Sequence, residues 1–295
     1  MSSTAPGSVA RRFGIFTNAS AKDAPRLAVV IPHWLRQFSP CLDEIFILLD
    51  PRVPEGRISR QHSIPSDILK VERLLDDLAG RDRRVRWSRL DYARLPDVSR
   101  RWWTHGQPVR CQDGTPVFAF AAGFESMRGR FVLRSDCDML FRDDGWVQAG
   151  LAALSSGQYD MISPPRLGAV SRLSSRALLF DGEAFPRRFL PMPAARLDWA
   201  RRLYRRWRGR APWLAFEDSL GNLVATGKAK FAVLPSALGA SMHVARVGEF
   251  VEPGFPFVAE QWEKGLVPAR QREHGWDYLA AAWSHAGVDV AGKQG

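Results

Sequence analysis

Two short apolar runs, Ile45-Phe-Ile-Leu-Leu49 and Phe131-Val-Leu133, each lead into an aspartate within a few residues, Asp50 and Asp136. A run of this length without polar alternation is what a strand buried on both faces shows. Such strands need helices on either side of their sheet, and the chain supplies them. Leu27, Val30, Ile31, Trp34, Leu35 and Phe38 recur at helical spacing, with Pro25 suited to a first turn and Pro32 on the opposite face as a kink. Ile68, Val71, Leu75 and Leu78 form a second stripe in a helix from Ser66, with Gly80 placed just past its C-cap. Val117, Phe120, Ala121, Phe124 and Met127 mark a third helix, from Pro116 to Gly129. Strands are expected over 13–16, 45–49, 85–87, 131–135, 159–163, 177–180 and 229–234, and further helices over 145–156, 198–208 and 218–227. The pattern is α/β with a mostly parallel, mixed sheet flanked by helices.

With 295 residues, 45% of them hydrophobic, the chain has ample material for one large domain, and no linker forces two. Residues 1–10 read as a disordered tail without the charged start and apolar run of a secretory signal, and 11–245 as the domain. No apolar stretch reaches the roughly 18 residues that would span a bilayer. Cys41, Cys111 and Cys137 are odd in number and lack CxxC spacing, which argues against a disulfide framework and a zinc knuckle and for a reducing, cytoplasmic setting. The formal net charge is +11, and 36 of the 42 basic residues are arginine. That bias reads either as compositional or as attraction to anions such as nucleotide phosphates, phospholipid headgroups or nucleic acid.

The strongest chemical signal is Phe131-Val-Leu-Arg-Ser-Asp136-Cys-Asp138-Met-Leu-Phe141. In open α/β sheets ligands gather at the carboxyl ends of strands, and two carboxylates one residue apart there can hold a divalent cation, Mn²⁺ or Mg²⁺, that also takes phosphate oxygens. The helix Phe118-Ala-Phe-Ala-Ala-Gly-Phe-Glu-Ser-Met-Arg-Gly-Arg130, the apolar strand closing on DxD directly after it, and the later pair in Phe216-Glu217-Asp218-Ser219-Leu220 together resemble the GT-A glycosyltransferases, nearest in pattern to inverting family 2. The resemblance runs from Phe13 to about His243. Two departures are visible: the first strand ends Phe16-Thr17-Asn18 without the family's proline-containing signature, and the QxxRW element of processive synthases is absent, which speaks for transfer of single sugars.

The resemblance implies a Rossmann-like GT-A fold and a nucleotide-sugar donor, a UDP-sugar foremost, with a glycan or lipid-linked acceptor. It further implies that Asp50 accepts a hydrogen bond from the nucleotide base, with Thr17 and Asn18 lining the same pocket. Arg57 and Arg134 would offset diphosphate charge. Asp136, Asp138 and a late histidine, His243, would hold the metal, imidazole suiting Mn²⁺ better than Mg²⁺. Asp218 would be the general base, next to Glu217, where a helix N-terminus keeps a carboxylate ionised. Residues 246–295 would pack on or near this active site. The same residues have plainer readings: Asp50 before Pro51 initiates a turn, and Glu217 and Asp218 cap a helix.

Other chemistries have less support. Gly221 to Lys228 has five residues between its glycines where a P-loop has four, and Ala229 replaces the Ser/Thr that meets magnesium. GxGxxG and GxSxG are absent. A sugar-phosphate nucleotidyltransferase would want a glycine-rich basic loop after the first strand, where this chain has residues 17–23 with one lysine. A nucleic-acid-binding protein would want a recognition motif and a clustered basic face, and the arginines are spread along the chain. One basic cluster stands apart. From Asp198 to Arg208, Trp199, Leu203 and Trp207 recur at helical spacing among Arg201, Arg202, Arg205, Arg206 and Arg208. It reads as a helix packed on the core with a solvated arginine face, or as a peripheral anchor on the inner face of a membrane.

Overall fold

The computed structural model describes residues 13–20, 23–51, 65–103, 118–137, 139–142, 144–165, 173, 177–192, 207, 216–238 and 240–243. In chain order these form β1 (Phe13–Ala19), α1 (Ala24–Gln37), β2 (Leu42–Leu49), α2 (Pro65–Arg81), β3 (Val85–Arg89), α3 (Leu95–Trp102), α4 (Phe118–Glu125) and β4 (Phe131–Ser135). They continue as β5 (Met139–Arg142), α5 (Gly145–Ser155), β6 (Met161–Ser163), β7 (Ala177–Asp181), α6 (Ala184–Phe189), α7 (Phe216–Ala225), β8 (Phe231–Val233) and β9 (Ala240–His243). Seven strands make one sheet in the order β3-β2-β1-β4-β7-β6-β8, while β5 and β9 pair separately. Neighbours are parallel except β7, which runs against both β4 and β6. The expected α/β architecture with a mostly parallel, mixed sheet is therefore the observed one.

The continuous apolar runs are explained by burial on both faces. Ile45, Ile47 and Leu49 of β2 join Phe13, Ile15, Phe131 and Leu133 in a core beneath α1, α2 and α5. Phe46 and Leu48 point the other way, into a second core with Phe16, Val132, Leu178 and Phe180 beneath α3, α4 and α6. Successive side chains of a strand alternate in direction, so a strand feeding two cores has no position left for a polar residue. Polar chemistry is displaced to strand ends. Of the stripe expected on α1, Leu27, Val30, Ile31, Trp34 and Phe38 are fully buried, and Pro32 lies inside the helix.

Several boundaries differ from the sequence expectation. Gly80 lies within α2, which continues to Arg81, where the guanidinium pairs with Asp77 one turn back at 2.8 Å. The third helix stops at Glu125 instead of Gly129, because Arg128 and Gly129 turn their N–H groups onto the buried carboxylate of Glu44. At the start of β8, Ala229 N–H returns to Leu223 O at 3.0 Å and Lys230 N–H donates to Asp160 at 2.8 Å, so the strand begins at Phe231. Met161 likewise opens β6, two residues later than expected. Gly227 follows α7 with φ +70°, a left-handed conformation that suits glycine. Helices α3 and α6 and the β5–β9 ladder have no counterpart among the expected elements.

Of the basic cluster, only Trp207 is among the described residues, and it is 77% exposed. Residues 1–12 and 244–295 lie outside them, so the tail and the C-terminal extension are not addressed by the fold. No helix among the described residues is long and apolar enough to cross a membrane. Neither Cys41 nor Cys137 is in a disulfide among the described residues, and burial together with Asp144 and Asp43 pushes the Cys41 thiol up to about 11.

Helix α4 lies close on the sheet at Gly123, where an added Cβ would fall 2.0 Å from the Phe16 ring. Gly123→Ala should lower unfolding free energy by about 1 to 3 kcal/mol, the range for overpacking a filled core, measured by urea denaturation.

Candidate active site

The strand order places a topological switch between β1 and β4: the chain winds outward through β2 and β3, then returns to the other side of β1. Ligands of open α/β sheets sit outside the carboxyl ends at such a point. At the end of β1, Thr17 is fully buried and Asn18 half-buried. The Asn18 Oδ1 is itself buried and has no hydrogen-bond partner among the described residues. An orphaned amide oxygen of this kind marks either strain or a donor yet to arrive.

Asp50 leaves β2 beside it, its N–H donating to Ala19 O at 2.8 Å. Both carboxylate oxygens of Asp50 accept from the Tyr92 hydroxyl at 2.8 Å. Tyr92 opens a single 3₁₀ turn after β3, with the Asp91 side chain accepting Ala93 N–H at 2.9 Å and Leu90 N–H reaching back to Leu49 O at 2.8 Å. Three adjacent strand ends are thus fastened to each other. The loop from β1 to α1 is closed by Asp23, which accepts from the Ser20 N–H at 2.8 Å and hydroxyl at 2.7 Å and from Arg26 at 3.1 Å.

On the other side of β1, β4 runs in parallel register with Phe16 opposite Arg134. Arg134 and Asp136, two residues apart on one side of the strand, form an ion pair from Nη1 to Oδ1. Their side chains are 13% and 29% exposed, so the pair is sheltered but open to the edge. After Asp136 the chain turns, Met139 N–H donating to Asp136 O at 3.3 Å, and enters β5. Helix α1 grips β5 from one side: Trp34 Nε1–H donates to Met139 O at 2.9 Å, and Phe141 N–H donates to His33 Nε2 at 3.1 Å. That bond makes His33 an acceptor at Nε2, which requires its neutral form. β9 pairs antiparallel on the other side, with His243 opposite Met139. Ser241 of β9 donates to Pro165 O at 2.6 Å, tying the ladder to the end of β6 at the same edge of the sheet.

The fold therefore brings Thr17, Asn18, Asp50, Arg134 and Asp136 to one edge, with the His243 backbone across from the residue that follows Asp138. Asp138 and Arg57 are outside the described residues. For Glu217, Asp218 and His243 the backbone alone is described, the first two in the opening turn of α7. Next to them Ser219 and Leu220 are buried, anchoring that turn against the second core. Sequence reasoning missed Tyr92, His33, Trp34 and the Ser20–Asp23–Arg26 clasp. Only the last had a local signal, a Ser and Asp three residues apart before a helix.

No family model matches the chain, and no curated protein matches it. Among solved structures, it is similar to the galactosyltransferase LgtC in complex with donor and acceptor sugar analogues, at 12% identity and TM-score 0.44, over 94% of this chain and 98% of that one. It is similar also to residues 1–349 of S. aureus TarS in complex with UDP-GlcNAc, at 10% identity and TM-score 0.44, over 93% and 72%. A third is apo mouse xyloside xylosyltransferase 1, at 13% identity and TM-score 0.42, over 76% and 85%. All three scores fall below 0.5, and the reading of the edge stands on this chain's own residues.

The Tyr92 hydroxyl is a donor shared by both oxygens of Asp50. Tyr92→Phe should cost about 1.5 kcal/mol of stability, the lower end for a hydrogen bond to a charged group because Asp50 is only half-buried. Chemical denaturation of the two proteins side by side checks it.

Proposed function

We propose that the chain is a glycosyltransferase that moves one sugar from a nucleotide-sugar donor, a UDP-sugar foremost, to a hydroxyl of a glycan or lipid-linked acceptor, with inversion at the anomeric carbon. The observation that carries this reading is that the acidic end of β4, at Asp136, leaves the sheet at the switch point, one strand from Asn18 with its orphaned Oδ1 and two strands from Asp50. A nucleotide base offers the N–H donors that Asn18 and Asp50 can accept, and Thr17 walls the same pocket. Arg134, sheltered beside Asp136, and Arg57 offset diphosphate charge.

The donor set suits a divalent cation. Two carboxylates, Asp136 and Asp138, are hard oxygen ligands, and His243, whose strand is paired with the residue after Asp138, adds the imidazole that favours Mn²⁺ over Mg²⁺. The Arg134 ion pair on Oδ1 orients the Asp136 carboxylate at the strand end. Bound there, the cation supplies charge stabilisation to the leaving diphosphate.

Asp218 removes the proton from the acceptor hydroxyl as that oxygen attacks the anomeric carbon and the sugar–phosphate bond breaks. Its place in the first turn of α7 supports the role, because the helix dipole favours the ionised carboxylate that a base needs. Glu217 contributes less directly, to the field of the same turn. Attachment to an anionic membrane surface through Asp198 to Arg208 would bring lipid-linked acceptors within reach, and the exposed Trp207 supports it.

Calorimetric titration with UDP in the presence of Mn²⁺ tests the metal site: Asp138→Ala should abolish metal-dependent binding with the far-ultraviolet dichroism unchanged, and undiminished binding would sink the reading. Asp218→Asn should keep donor affinity while lowering turnover by a factor on the order of 10² to 10⁴, the range for loss of a positioned base. A product that retains the donor's anomeric configuration would remove Asp218 from that role.

A further inference from the structure

The opposite edge of the sheet, where the parallel strands begin, holds an open pocket of about 270 Å³ whose lining includes Asp43, Glu44, Arg83, Arg84, Arg86 and Arg128. It lies at the start of β2, and from Glu44 six residues, roughly 20 Å at the usual rise per residue, lead to Asp50 at the far end. Its two carboxylates are already spent on the fold. Asp43 accepts Phe13 N–H at 2.8 Å, and Glu44 accepts the N–H groups of Arg128 and Gly129 with one oxygen and Arg86 with the other.

The arginines divide into two kinds. Arg86 is fixed: its guanidinium donates to Glu44 at 2.8 Å and to Ser126 O at 2.9 Å and lies 4.6 Å from the Phe46 ring centroid. Arg84 is likewise held, on Asp82 at 2.7 Å. Arg83 and Arg128 are exposed, and their guanidinium groups make no hydrogen bond or ion pair among the described residues. Elsewhere in the described structure such arginines are commonly matched to a carboxylate, as Arg130 is to Asp181 and Arg101 to Glu125. Four arginines thus line the recess against two carboxylates that are already hydrogen-bonded, an excess of positive charge that suits a phosphate group.

We propose that this recess is a second binding site, for a phosphate-bearing anion, separate from the carboxyl edge and independent of the function assigned to that edge. Arg86 and Arg84, held through Nε and Nη2, offer their Nη1 groups to the ligand, and Arg83 and Arg128 close over it. The ligand is either a free phosphorylated molecule or the headgroup of an anionic phospholipid.

The test is calorimetric titration of inorganic pyrophosphate into the full chain in metal-free buffer, beside Arg83→Gln/Arg128→Gln and a control, Arg81→Gln, whose arginine is paired with Asp77 outside the pocket. The expected result is a dissociation constant raised at least tenfold in the double variant and unchanged in the control. Protection of Arg83 and Arg128 from phenylglyoxal by pyrophosphate, read by peptide mapping of the unmutated protein, gives the same answer without any substitution. Flotation with phosphatidylglycerol and phosphatidylcholine vesicles separates the sources: binding to the anionic vesicles alone, lost in the double variant, assigns a lipid headgroup, and pyrophosphate binding without vesicle binding assigns a free ligand. Pyrophosphate binding that survives intact in the double variant, or no binding to either probe and no protection, overturns the proposal.

Discussion

Strands β1, β2 and β4 are wrapped by helices on both faces, and this constraint governs where everything else can go. Phe13, Ile15, Phe16, Ile45, Ile47, Leu49, Phe131 and Leu133 are fully buried, and Phe46, Leu48 and Val132 nearly so. Burying a side chain of this size contributes about 1.5 to 3 kcal/mol, while an unpaired polar group in its place would cost about as much or more. Polar residues are consequently expelled to the two edges of the sheet. At the carboxyl edge they are Thr17, Asn18, Asp50, Arg134 and Asp136, and at the opposite edge Asp43, Glu44 and the arginines around them. The two candidate sites are two ends of one buried layer.

What turns the carboxyl edge from a set of strand ends into a shaped site is the grip of α1 on β5. The chain leaves β4, passes Asp136 to Asp138, and would be free to swing away. Trp34 and His33 instead hold the backbone of Met139 and Phe141, and β9 pairs with the other side of β5. Each of these bonds is worth only about 1 kcal/mol net, yet breaking one leaves a buried group unsatisfied at a cost of about 1 to 3 kcal/mol, so the loop is held more firmly than the sum suggests. The rings of Phe38, Phe141 and Trp146, with centroids 5.2 to 5.9 Å apart, pack behind it.

The arginine-rich composition also resolves into particular duties. Arg86, Arg130 and Arg188 neutralise Glu44, Asp181 and Asp160, carboxylates that are almost wholly buried because they also accept backbone N–H groups. Asp181, for example, accepts from Glu183 and Ala184 at the start of α6. The more exposed pair of Arg100 and Asp97 contributes little to stability, as solvent screens it. At Asp82 the Arg84 hydrogen bond holds the carboxyl below its usual range, so that pair stabilises the fold above the ordinary carboxylate pKa and fades as pH falls through the lowered one.

The amino-acid sequence by itself determined the strand and helix alternation, the helical stripe from Leu27 to Phe38 and the emergence of Asp136 from an apolar strand. Those features are written in neighbours one to four residues apart, where backbone periodicity acts directly. Tertiary structure alone decided the reversal of β7, the pairing of β5 with β9, the early stop of α4 on Glu44 and the Tyr92 clasp on Asp50. The deciding contacts there join residues 105, 85 and 42 positions apart, as in Trp34 to Met139, Gly129 to Glu44 and Tyr92 to Asp50. No local pattern encodes such contacts, because each forms only after the two cores have packed and brought a donor to an acceptor that would otherwise be buried unpaired.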